Sequence, residues 1–162
     1  MVAIMNEALE LETGHKILEV GSGSGWHAAT IAEIVAPNNV AKDKWGHVYT
    51  IELVPSLARS ASEKILKNGY GERVTVVIGD GSEGYLRETP YDRILVTAAA
   101  PKIPGTLRNQ LRSRGIMVIP VGDVGYYQAL VRIRRSDGIF AEEDLGGVAF
   151  VPLLGKFGHK SS

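Results

Sequence analysis

Three stretches of the chain place glycines and acids where a nucleoside could be held. The first, Glu19-Val20-Gly21-Ser22-Gly23-Ser24-Gly25, exposes bare backbone, so a ligand can approach its N–H groups without meeting side chains. Its spacing is selective. Trp26 stands where a dinucleotide fingerprint requires glycine, and no Gly-Lys-Ser/Thr ending completes a phosphate loop. The second is Glu52, followed by Leu53, at the end of a β-rich run; a carboxylate there can accept hydrogen bonds from both hydroxyls of a ribose. The third, Asp80-Gly81, is placed to meet the amino group of an adenine. Each stretch has a plainer reading: an ordinary tight turn, a solvated acid, or an aspartate that only shapes its own turn. Convergence of all three on one crevice favours a nucleoside site.

The elements that must position these residues follow from periodicity. Lys16 to Val20, His47 to Glu52, Val74 to Ile78, Tyr91 to Thr97 and Gly115 to Val121 are short apolar runs that predict strands. Between them, Trp26 to Val35, Pro55 to Asn68 and Pro104 to Leu111 predict helices, and Met1 to Glu12 predicts an amphipathic helix ahead of the first strand. Strands alternating with helices at this spacing require right-handed crossovers, hence a mainly parallel sheet covered on both faces. From Gln128 the pattern changes. Ala129 to Arg134 alternates, Ser136-Asp137-Gly138 is a hairpin turn, and Gly147 to Leu153 is a further strand candidate, so an antiparallel pair is expected to finish the sheet. The long polar stretch from Ala36 to Gly46 is read as a loop without an assigned role.

Bulk properties narrow the classes. At 162 residues, 44% apolar and without an internal repeat or linker, the chain is expected to form one domain over residues 1 to 162. Eighteen basic residues balance 18 acidic ones, so no overall positive field favours nucleic acid as a partner. There is no cysteine, which removes disulfides, thiolate metal sites and a cysteine nucleophile. His15, His27, His47 and His159 lack metal-ligand spacing, so no metal is expected and they read as surface or packing residues. Trp26 reads as packing, and Arg132, Arg134 and Arg135 as solvated or edge-protecting side chains. No basic leader or apolar run of roughly 18 residues is present, so export and a membrane span are not implied, and the cytoplasm is the default location.

The Glu-x-Gly-x-Gly-x-Gly arrangement resembles the first motif of class I S-adenosylmethionine-dependent methyltransferases, which implies a Rossmann-like α/β fold. A longer series is more specific: Asp80-Gly81-Ser82-x-Gly84-Tyr85, Pro90-Tyr91-Asp92-Arg93-Ile94, Thr97-Ala98-Ala99-Ala100-Pro101-x-Ile103-Pro104, Ile119-Pro120-Val121-Gly122, Gln128, and Gly147-Val148-x-Phe150-Val151-Pro152-Leu153. These resemble the protein-L-isoaspartate O-methyltransferase family across nearly the whole chain. The resemblance implies methyl transfer from S-adenosylmethionine to an isoaspartyl carboxylate in a damaged protein or peptide, leaving S-adenosylhomocysteine. It further implies that Glu19, Gly21, Ser22, Gly23, Ser24, Gly25, Glu52, Leu53, Asp80 and Gly81 hold the cofactor. Ala98, Ala99, Ala100, Pro101, Val148, Phe150 and Val151 would border the peptide. The family's segment preceding Met-Val-Ala-x-Met, with its hydroxyl residue, has no counterpart before Met1, so no catalytic residue is assigned. Other readings are a methyltransferase for nucleic acid or a small molecule, and a module that binds the cofactor without turnover.

Overall fold

A computed structural model describes residues 1–123 and 125–160. Among the described residues seven strands form one sheet: β1 (Lys16–Val20), β2 (His47–Glu52), β3 (Val74–Ile78), β4 (Tyr91–Val96), β5 (Leu111–Gly122), β6 (Gln128–Ser136) and β7 (Ile139–Val148). Their order is β3-β2-β1-β4-β5-β6-β7, parallel from β3 through β5, with β6 antiparallel to both of its neighbours. Helices α1 (Val2–Ala8), α2 (Trp26–Val35), α3 (Pro55–Lys67) and α4 (Gly105–Gln110) supply the covering layers.

The strands are apolar on both sides because both sides are covered. Ile17 joins a cluster with Ala28, Ile31 and Ala32 of α2 and Ile65 of α3, while its neighbour Leu18 joins the opposite cluster with Leu107 of α4. The chain leaves β1 toward β2 on one side, and β4 lies on the other side of β1. The order therefore reverses at β1 and opens a crevice beyond the carboxyl ends of β1 and β4. Among the described residues no helix is long and apolar enough to cross a membrane.

Several predicted boundaries shift. Helix α1 stops at Ala8 instead of reaching Glu12: Glu10 has φ +51°, and the buried Arg93 guanidinium takes the carbonyls of Leu9 and Glu10. The last strand is Ile139–Val148, not Gly147 to Leu153. As the free edge of the sheet it exposes Glu142, Glu143 and Asp144, so the apolar alternation that would have marked it is missing. Residues 150–153 instead run back over the sheet end, where Ala99 donates to the Val151 carbonyl and accepts from Leu153 N–H, each at 2.8 Å. The 36–46 loop contains a 3-10 turn at Lys42–Lys44 and is closed by Trp45 Nε1, which donates to the carbonyls of Pro37 and Val40. Arg132 and Arg134 lie on the inner strand β6, not on an edge, and pair with Glu143 and Glu10.

Candidate active site

The crevice beyond β1 holds a cavity of about 370 Å³, within the range of roughly 300–1,000 Å³ usual for small-molecule sites. Val20, Gly21 and Gly23 form its floor, Ile51, Glu52 and Leu53 one wall, and Gly81, Thr97 and Ala98 another. Val151 to Leu154, the segment folded back over the sheet end, closes a further side.

The glycine turn is built by local constraint. At Gly21, φ is +97° and an added Cβ would sit 2.4 Å from Thr97 Oγ1, whose hydroxyl is itself spent on the carbonyls of Val20 and Gly21. The turn thus hugs β4 and leaves bare backbone facing the cavity. At Gly81 an added Cβ would meet Val20 Cγ1 at 2.3 Å, so glycine there keeps the far wall low. Glu52 is buried at the end of β2, where Oε2 accepts from Gly23 N–H at 3.2 Å and Oε1 from Val54 N–H at 3.1 Å. One carboxylate therefore fixes the glycine turn against the start of α3, and its remaining lone pairs border the cavity.

Other predicted residues take different places. Glu19 is 0% exposed and does not line the cavity; it lies within the sheet, with Oε2 accepting from Thr50 Oγ1 at 2.5 Å. Ser22 is buried beneath the turn, 2.8 Å from the same Thr50 hydroxyl. Ser24 and Gly25 face a second cavity, of about 300 Å³, shared with Trp26, Ala29, Lys64 and Tyr70. Trp26 is 68% exposed, which corrects its reading as a packing residue. Asp80 does not line the first cavity. Its Oδ1 accepts from Ser82 N–H and Oγ and its Oδ2 from Lys156 N–H, so it caps its own turn and ties down the 150s segment. Burial works to raise its pKa, but those donors outweigh it and hold the carboxyl below its usual range.

Of the residues expected to border a peptide, Ala98 and Val151 reach the cavity, Val151 being 69% exposed. Ala99 and Ala100 are fully buried, with backbone paired to residues 151 and 120, and Pro101 is exposed beyond them. Val148 ends β7, and Phe150 is gripped at both backbone groups by the Gln128 side chain. Thr97 and the apolar lining from Val54, Leu57, Pro152, Leu153 and Leu154 were not singled out as site residues from sequence; a hydroxyl directly after β4 and the conspicuous Val-Pro-Leu run were the available signals. Among the described residues no group of three or more His, Asp or Glu side chains is arranged to hold a metal. Three of the four histidines have hydrogen-bond partners: His15 accepts from Glu12 N–H, His27 meets Asn6, and His47 meets Thr75.

Sheet order, crevice and glycine turn together define a Rossmann-like class I methyltransferase fold. The family model for protein-L-isoaspartate(D-aspartate) O-methyltransferase matches residues 1–158, and the chain belongs to that family. It is 51% identical, over 98% of its length, to the protein-L-isoaspartate O-methyltransferase of Hyperthermus butylicus, and 50% identical to that of Korarchaeum cryptofilum. The chain spans 66% and 72% of those two proteins. A solved protein-L-isoaspartate O-methyltransferase superimposes with a TM-score of 0.86 at 26% identity, over 97% of this chain and 47% of that one. A Plasmodium falciparum structure described as a putative member, in complex with S-adenosyl-L-homocysteine, shares the fold at a TM-score of 0.78 and 24% identity, over 94% of this chain and 71% of that one.

Proposed function

We propose that this chain, acting as one cytoplasmic domain, binds S-adenosylmethionine in the cavity beyond β1 and directs its methyl group to the carboxylate of isoaspartyl residues in damaged proteins or peptides. The observation that carries the reading is the union of Gly21, Gly23, Glu52 and Gly81 around one cavity at the point where strand order reverses. The residues fit the ligand: two glycines keep clear a cradle that side chains would fill, and a buried carboxylate stands where ribose hydroxyls need an acceptor. Gly21, Ser22 and Gly23 would hold the methionine and ribose part, Glu52 and Leu53 the ribose and its edge, and Gly81 the adenine. Glu19 and Asp80 would support that site from behind, and Ser24 and Gly25 would continue the turn on its far side.

Bound there, S-adenosylmethionine supplies an electrophilic methyl group on a sulfonium. The acceptor carboxylate is already ionised near neutral pH, so the chain need not remove a proton from it. Its task is alignment and exclusion of water. Ala98 and Val151 set the acceptor side of the cavity, and Ala99, Ala100, Pro101, Val148 and Phe150 hold that side in place. Holding the reacting atoms in near-attack geometry is worth up to roughly 7–11 kcal/mol. The transfer would leave S-adenosylhomocysteine to dissociate, and the methyl ester would then collapse without further help to a succinimide, the adjacent backbone nitrogen displacing methanol. Incubation with methyl-labelled S-adenosylmethionine and an isoaspartyl peptide tests this: labelled methyl ester on that peptide, and not on its aspartyl counterpart, is the expected outcome. Label on nucleic acid or a small molecule instead would contradict it.

A further inference from the structure

The cavity accounts for Glu52 but leaves Glu19 unexplained. Glu19 immediately precedes Val20, which lines the cavity, yet it is fully enclosed by protein, and its Oε1 has no hydrogen-bond partner. Strand register sets Thr50 of β2 on one side of it and Leu95 of β4 on the other. Glu19 Oε2, Thr50 Oγ1 and Ser22 Oγ stand in a row at separations of 2.5 and 2.8 Å, so a chain of three oxygens connects the carboxyl to the glycine turn.

A carboxylate ion with one hydroxyl donor and one orphaned oxygen is costly to bury, whereas the neutral acid leaves much less polarity unmet. The charge that reaches Glu19 is that of Glu52, which is of the same sign; Leu95 and the α2 residues Ala28, Ile31 and Ala32 on this side of the sheet carry none. Burial, reinforced by Glu52 and opposed by the Thr50 hydrogen bond, pushes the Glu19 carboxyl up to about 8. The hydroxyl row suits both charge states. With Glu19 neutral, hydrogen bonds can run from Glu19 to Thr50 to Ser22; with Glu19 ionised, they reverse, and no oxygen need move.

We propose that Glu19 senses charge in the donor site: it is neutral when the cavity is empty and loses its proton to solvent, along Thr50 and Ser22, when a sulfonium occupies the cavity. The inference rests on the donor site proposed above. Loss of the methyl group converts the sulfonium to a neutral thioether, so Glu19 takes a proton back and the attraction that favoured the donor disappears. Loss of that proton would thereby favour S-adenosylmethionine relative to S-adenosylhomocysteine, by an amount that depends on pH.

Calorimetric titration of the unmodified chain with each ligand at pH 7, in two buffers of different protonation enthalpy, counts the protons exchanged. The expected result is close to one proton released on binding S-adenosylmethionine and far fewer with S-adenosylhomocysteine. The ratio of the two dissociation constants should change by up to about tenfold per pH unit between pH 6 and 8, the limit for one linked proton, and level off above. Glu19→Gln, which keeps shape and a hydrogen bond, should bind both ligands and lose this pH dependence. Equal proton counts for the two ligands on the unmodified chain would overturn the inference while leaving the donor site intact. Failure of S-adenosylmethionine to bind would overturn both.

Discussion

The two sides of the cavity are built on opposite plans. Toward β2, a buried carboxylate grips the glycine turn, and a second carboxyl group lies fully enclosed beneath it on the Thr50 hydroxyl, so polar groups dominate. Toward β4 and the 150s segment, side chains are small or apolar and the holding bonds are backbone to backbone, as between Ala99 and residues 151 and 153. The first side is suited to binding a polar nucleoside tightly, because displaced or unpaired charge there is expensive. The second presents little beyond shape and a loosely covered rim, with Val151 largely exposed. Under the proposed function, a surface of that kind would accept many peptide sequences, since it would ask of each only that a chain fit against it.

Breaking the β2 side should therefore cost more than breaking the other. The largest effect is expected from Glu19 through pH. Its carboxyl is raised from about 4.5 unfolded to about 8 folded, so the folded state binds the extra proton between those values. Stability from this group is fully present below about pH 4.5 and falls as pH rises to about 8, by about 5 kcal/mol. Chemical denaturation of Glu19→Gln across that window should show a flatter pH dependence than the parent. Next, Gly21→Ala forces a side chain into a φ of +97° and against Thr97 Oγ1. It should cost roughly 2–3 kcal/mol of stability, measured by thermal unfolding, and most of the donor affinity. Glu52→Ala removes the acceptor for Gly23 and Val54 N–H and should weaken S-adenosylmethionine binding by about 1.5 kcal/mol, a little over tenfold by calorimetry. The smallest effect belongs to the other side: Val151→Ala, trimming a mostly exposed side chain, should raise the peptide KM about twofold, near 0.5 kcal/mol, and leave donor affinity unchanged. A reversed ranking of Glu52 and Val151 on donor affinity would undo the comparison.

The strands that carry the site were legible because they are short apolar runs, buried on both faces in β1 and β4. Runs such as Lys16–Val20, His47–Glu52 and Val74–Ile78 stand where periodicity puts them, and with them the ends from which Gly21, Glu52 and Gly81 project. What periodicity could not reveal is direction within a turn. Gly21, Gly23 and Gly25 all have positive φ, so the chain spirals, and Ser24 and Gly25 face away from the cavity that Gly21 and Gly23 line. Asp80 was ambiguous for a related reason: its donors Ser82 and Lys156 come from its own turn and from a segment 76 residues away, and only the folded chain brings the latter near. Strand β7 was hidden because an edge strand has solvent on its open flank and so accepts Glu142, Glu143 and Asp144. The Val-Pro-Leu run that looked like a strand makes a single bridge to Ala99 and serves as a wall of the cavity.

A crystal structure of the chain with S-adenosylhomocysteine tests the central claim most directly. The account predicts the adenosyl group between Gly21, Gly23 and Gly81, its ribose hydroxyls on the Glu52 carboxylate, with Ser24 and Trp26 untouched. A ligand lodged in the cavity of Ser24, Trp26 and Lys64, or with its ribose away from Glu52, would contradict it.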